Sequence, residues 1–193
     1  MSDDLDDLAY CDQCTRRDKT MPQRESAPAA WAYTVPGLDI DHARAVAVVL
    51  QERLDTLNDL ALTLKHVHWN VVGPHFIAVH TMLDPQVDTV REMVDVIAER
   101  IATLGSSPHG LPGGIVARRD WHDYELGRFD ALDHLKALSL TYTRVIKGHR
   151  HAIAATEVDA PSQDILITQS GQLEKFQWLV RAHSERANGE LTW

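Results

Sequence analysis

The chain has 193 residues, 44% of them apolar and 24% charged, enough for one medium domain with its own core and ordinary for a globular protein. A formal charge of −9 argues against a broad phosphate-neutralising surface and suits a protein that attracts cations. The longest aliphatic run, Ala45 to Leu50, is too short to cross a bilayer, and MSDDLDDL lacks the basic and apolar regions of a secretion signal. The expectation is a cytoplasmic protein without a membrane partner.

Residues 1–32 are rich in acids, Pro, Ser and Gln and poor in aliphatics, so they are expected to form a mobile tail. Both cysteines of the chain, Cys11 and Cys14, lie there, and no disulfide framework can hold the main domain. Two thiols supply half of a four-cysteine zinc site, so zinc at this pair would need His or another subunit; the alternatives are a redox-active pair or no metal at all.

From about Asp39 apolar residues recur at helical spacing: Val46, Val49, Leu50, Leu54, Leu57, Leu60, Leu64 and Val67. Val72-Gly73-Pro74 breaks this first helix, and a second periodic stretch runs from about Phe76 to Leu104. Pro85 falls inside it, so the helix either bends there or begins there with Asp84 as its N-cap. Residues 105–120 read as a Gly- and Pro-rich loop, with a short helix expected at Trp121–Gly127. A third long helix is expected from Leu126 to Ala155, stopped by Pro161, and a fourth from a Ser162 cap to about Ala187. Residues 33–187 would thus be an all-α, ferritin-like four-helix bundle with a short extra helix in the connection between its second and third helices; residues 188–193 form a short C-terminal tail. No alternating Val/Ile/Thr stretch suggests a strand.

HVHWNVVGPHFIAVH, residues 66–80, carries four of the eleven histidines. His68 lies roughly 8 Å below the Gly73-Pro74 turn on one helix and His80 roughly 10 Å below it on the next, at 1.5 Å per residue. Asp84 follows His80 by four residues on the same face, and Asp95 and Glu99 repeat that spacing further along. Fifteen residues separate His80 from Asp95, about 22 Å of helix, whereas metal bonds to imidazole and carboxylate are about 2 Å. One chain cannot bring both groups to one ion. A second copy lying antiparallel across a two-fold axis can, giving two equal sites per dimer.

Imidazole mixed with carboxylate favours iron, zinc or manganese over calcium and magnesium. The Glu-x-x-His repeat of sites inside a four-helix bundle is absent, since no Glu has His three residues later. For any single residue an ordinary surface or core role has better odds, and His42, His66 and His75 keep that reading; five matched positions shift the balance. Trp69 is most simply an interface or core aromatic, although an indole beside an iron site can also accept an oxidising equivalent.

HVHWNVVGPHFIAVHTMLD followed by DVIAER at Asp95–Arg100 resembles the Dps family, the ferritin-like miniferritins known as DNA-binding proteins from starved cells. The similarity runs from about residue 33 to 187 through SQDILI and LEKFQWLVRAH. It implies a hollow homododecamer built from two-fold dimers, with a di-iron ferroxidase centre shared between subunits. That centre would oxidise Fe(II), preferably with hydrogen peroxide, and the shell would store ferric oxide, protecting the cell and its DNA. On that pattern His68 and His80 hold the tighter iron with Asp95 and Glu99 of the partner, and Asp84 steers the second. The acidic first residues and the ending ANGELTW carry no basic cluster, which argues against DNA binding through the tails. Iron entry would use Glu157, Asp159 or other acids, or else His149 and His151. The alternative function is a nucleoid-compacting structural protein whose metal site is vestigial or filled by zinc.

Overall fold

The computed structural model describes residues 32–191; the expectations for the N-terminal tail and for Cys11 and Cys14 lie outside the described residues. Helix α1 spans Ile40–Asn70, and the Asp39 carboxylate caps it by accepting the amide of Asp41 at 2.8 Å. Its buried stripe is the expected one, Val46, Leu50, Leu54, Leu57, Leu60, Leu64 and Val67, with Val49 packed at its edge.

Helix α2, Phe76–Thr103, is continuous through Pro85. Pro85 and Thr81, whose carbonyl loses its amide partner four residues on, both face solvent, so water can satisfy the freed group. Asp84 is therefore a mid-helix residue, not a cap, and stays one turn from His80. Gly73 makes the intervening turn possible: its φ is 93°, and a Cβ there would meet Asp130 Oδ1 at 2.9 Å.

The connection to the third long helix departs from expectation. The short helix α3 is Pro112–Arg118, started by a proline at a position that needs no amide and anchored by buried Ile115. Residues 121–127 contain no helix. Trp121 instead pins them, donating from Nε1 to Asp59 at 2.8 Å beneath the Arg144 guanidinium, 4.4 Å from the ring centroid. Two short parallel strands, β1 (Val71–Val72) and β2 (Phe129–Asp130), pair before α4 begins at Ala131, five residues later than periodicity suggested. The backbone of 129–130 is spent on that pairing.

Helix α4, Ala131–Ala155, ends well before Pro161, where Thr156 turns its hydroxyl onto the Ala152 carbonyl. Pro161 lies in the first turn of α5, Ala160–Ala182, whose N-cap position is Asp159, so Ser162 is inside the helix. The expected extension to Ala187 is replaced by a turn in which Glu185 and Leu191 bridge antiparallel.

Helices α1 and α2 form one hairpin and α4 and α5 another, packed through a single apolar core. That core excludes free charge. Its buried carboxylates, Asp55 and Asp159, are each paired with an arginine, Arg118 and Arg100. At its centre Tyr142 donates to Gln86 Oε1 at 2.6 Å. Among the described residues the one group of three or more potential metal ligands within reach of one another is His68, His80 and Asp84, which holds a single carboxylate. Burial also corrects the expected iron route: His149 is fully buried, its Nδ1 near the Val145 carbonyl and its Nε2 near Gln169, and Asp159 is committed to Arg100. Glu157 and His151 remain exposed.

Candidate metal centre

Where α1 descends to the Gly73 turn and α2 rises from it, His68 and His80 stack face to face, ring centroids 3.6 Å apart and planes 23° from parallel. Each ring is tied to the other's backbone. His68 Nδ1 lies 3.1 Å from the His80 carbonyl, and His80 Nδ1 lies 2.9 Å from the His68 carbonyl. A carbonyl only accepts, so the proton of each neutral ring sits on Nδ1, which leaves both Nε2 lone pairs free for a metal. This is the outer-sphere support that orients metal-binding histidines, supplied reciprocally by the two ligand residues themselves.

Asp84 completes the group: among the described residues His68, His80 and Asp84 are the set of three whose ligand atoms lie within 4.8 Å of one another. Its Oδ1 stands 3.3 Å from His68 Nδ1 and accepts from Lys65 Nζ at 3.0 Å. The Lys65 bond is the main reason the Asp84 carboxyl is held below the usual range; desolvation opposes it, and His68 and His80 add to it. Asp84 thus stands behind the His68 ring, leashed by Lys65, rather than between the two Nε2 atoms. An ion recruiting it must draw it off the ammonium. Lys65 was not singled out from the sequence, although its place three residues before His68 puts it on the same face.

The structure does not bring Asp95 and Glu99 to this group. Both are exposed on α2, and neither carboxylate has a hydrogen bond or ion pair among the described residues. Trp69 is 72% exposed; with Leu62, His66, Val116 and Tyr124 it lines a groove that does not include His68 or His80. His66 points away from the cluster, its Nε2 2.8 Å from the Leu126 carbonyl.

Comparison with known proteins gives the family. The ferritin-like domain family matches residues 48–189. A protein of Mycolicibacterium smegmatis called DNA protection during starvation protein is 56% identical over 162 residues, 83% of this chain and 88% of its own. This chain belongs to the Dps family. A Dps-family structure from Streptomyces coelicolor, DpsA14, superposes with a TM-score of 0.84 at 55% identity, covering 86% of this chain and all of the other. A Haemophilus ducreyi protein named fine tangled pili major subunit is 51% identical over 82% of this chain and 85% of its own. The Dps fold therefore carries more than one name among its relatives, and the histidine pair has to be judged on its own geometry. No described helix of this Dps-family chain is long and apolar enough to cross a membrane.

Proposed function

We propose that this Dps-family chain is a ferroxidase that oxidises Fe(II) with hydrogen peroxide and stores the ferric product inside a dodecameric shell. One observation carries the reading: two stacked histidines whose Nδ1 atoms are spoken for by backbone carbonyls, so that each Nε2 is left for a metal, with the Asp84 carboxylate within reach of the pair. Three donors from one chain leave an iron site open. The exposed pair Asp95 and Glu99 of a second copy, lying antiparallel across a two-fold axis, supplies the missing carboxylates.

In that arrangement His68 and His80 bind the first Fe(II) through Nε2, with Asp95 and Glu99 of the other copy balancing its charge. Asp84 swings from Lys65 to steer the second. Each Fe(II) gives up one electron, the peroxide O–O bond breaks, and the two oxygens take up two protons and leave as water. The exposed apolar side chains Leu62, Trp69 and Val116, which line one groove, support association with a second copy, which would remove them from water. The name of the M. smegmatis relative speaks of DNA protection. With a net charge of −9, we assign protection here to removal of iron and peroxide rather than to binding of phosphates.

Anaerobic addition of Fe(II) to the assembled protein, followed by limiting peroxide, tests the reading. The expected result is about two Fe(II) consumed per peroxide, with little spin-trapped hydroxyl radical, the balance set by pairing two one-electron donors with one two-electron oxidant. Oxidation no faster than in protein-free buffer would overturn it.

A further inference from the structure

His149 on α4 is a fully buried histidine that the metal site does not use. Its Nδ1 lies 3.3 Å from the Val145 carbonyl and its Nε2 lies 3.3 Å from Gln169 Oε1. Gln169 is buried too, and its Nε2 donates to the Met93 carbonyl at 3.2 Å, which holds the amide oxygen toward the ring. Whichever tautomer the neutral ring adopts, it has one hydrogen for two oxygens; the imidazolium has one for each. The hydrogen-bond pattern therefore suits the charged form, and the burial suits the neutral one.

Arg53 on α1 tips the balance. Its side chain is 13% exposed, and its Nε is buried with no hydrogen-bond partner among the described residues. Its ion pair is with Glu52 at 3.7 Å, a carboxylate that is itself 67% exposed. The guanidinium rests against α4 at the residue before His149: a Cβ on Gly148 would collide with Arg53 Nη1, which accounts for a glycine inside this helix. Burial is the main reason the His149 pKa falls, from the ordinary 6.5 to about 4; repulsion by Arg53 adds to it, and the contacts with Gln169 and Val145 oppose it. Arg53 is thus the charged group that faces the ring, from α1; α5 and α2 present the uncharged Gln169 amide and the Met93 carbonyl behind it, and α4 the Val145 carbonyl. Arg53 in turn is attracted by Glu52 and Asp120 and repelled by Arg144, and burial lowers its own pKa.

We propose that His149 is a proton-operated latch between α1 and α4. Neutral, it packs beside the buried Arg53; protonated, it places a second buried cation next to the first, and moving α4 away from α1, which lets water reach both, relieves them. The latch belongs to the packing of the subunit and does not depend on iron chemistry. Its sign is fixed by a folded pKa below the unfolded one. The unfolded ring takes up its proton first, so this stability is intact above pH 6.5 and is lost as pH falls to about 4, the unfolding constant rising about tenfold per chain for each pH unit between. Ordinary carboxylates, with values of about 4, remain ionised over the upper part of that window, so the latch acts before general acid unfolding.

The test is proton uptake when the full-length assembled protein is unfolded by guanidinium in weakly buffered solution at about pH 5.5, where the wild type should bind about one proton per chain more than His149→Gln. Glutamine keeps a donor for the facing oxygens and cannot take a charge. Scattering and Trp fluorescence give the pH at which half the assembly is lost, which should be lower in His149→Gln and, because the repulsion is removed, in Arg53→Gln. Both variants keep His134, whose burial also lowers its pKa, so its contribution cancels in the comparison. Equal proton uptake, or an unmoved acid transition in an assembled His149→Gln, overturns the latch. Should His149→Gln fail to assemble, Arg53→Gln decides: a lower transition supports the latch, and an unmoved or higher one overturns it.

Discussion

Replacing His68 and His80 together by alanine is expected to lower peroxide-driven Fe(II) oxidation by well over 100-fold, because loss of a supporting hydrogen-bond partner alone typically costs metal sites about 10–100-fold. The two rings hold each other: each Nδ1 bonds the other residue's carbonyl, and the faces are stacked. A single replacement therefore removes one ligand and part of the packing that aims the other. The backbone should tolerate the change, since alanine favours helix at both positions and neither ring belongs to the main apolar core. Stopped-flow absorbance of the ferric product, with the assembly checked by scattering, measures the loss. Oxidation at the wild-type rate in an intact double variant would remove the histidines from the mechanism.

The second large effect is on stability. Asp159→Ala is expected to destabilise the fold by about 3–5 kcal/mol, the usual cost of leaving one member of a buried ion pair without its partner. Asp159 is 5% exposed and accepts from Arg100 Nη2 at 2.6 Å; Arg100 Nε also donates to Ser162 Oγ at 2.9 Å, and the Ser162 hydroxyl donates to Asp159. This brace ties α2 to the corner where α4 gives way to α5. Burial by itself would raise the Asp159 pKa; the Ser162 hydroxyl and the Arg100 guanidinium more than offset it, so the pKa falls below its ordinary value. The sign follows. Stability from this group is fully present above the unfolded carboxyl value of about 3.9 and is lost as pH falls through the lower folded value. Denaturant midpoints at neutral pH should drop in Asp159→Ala, and the acid-side decline of the wild type should flatten in Asp159→Asn. Unchanged midpoints would show that Arg100 finds another partner.

The arginine of the DVIAER stretch is therefore a corner brace, while Glu99, one residue before it, faces outward and is unpaired among the described residues. Sequence spacing assigned the two acids to one helical face and could not separate these roles, since the partner of Arg100 lies some sixty residues away. The same limit explains the other departures. The α1 stripe and the α1–α2 hairpin are local properties of periodicity and of Gly73, and they were legible. The lack of helix at residues 121–127 goes with Trp121 finding Asp59 and Arg144 on two other helices, and the late start of α4 with a strand pair between residues 71–72 and 129–130. His149 and Asp159 looked available for ion entry because exposure cannot be read from a motif; folding buried both.

At the metal centre the sequence carried the convergence of His68, His80 and Asp84, because four-residue spacing and a tight turn fix it. It did not carry Lys65 or the reciprocal carbonyl bonds, which depend on how two helices face one another. The remoteness of Asp95 and Glu99 was legible from helical rise alone, and in the folded chain both stay exposed and outside the three-residue cluster.

That remoteness makes the shared site directly measurable. One set of chains would carry His68→Ala and His80→Ala, the other Asp95→Ala and Glu99→Ala; each alone should be inactive. Unfolded together in equal amounts and reassembled, random pairing makes half the dimers mixed, and each mixed dimer rebuilds one of its two sites, so about one quarter of wild-type activity should return. Mixed assemblies as inactive as their parents would contradict a centre built across two subunits.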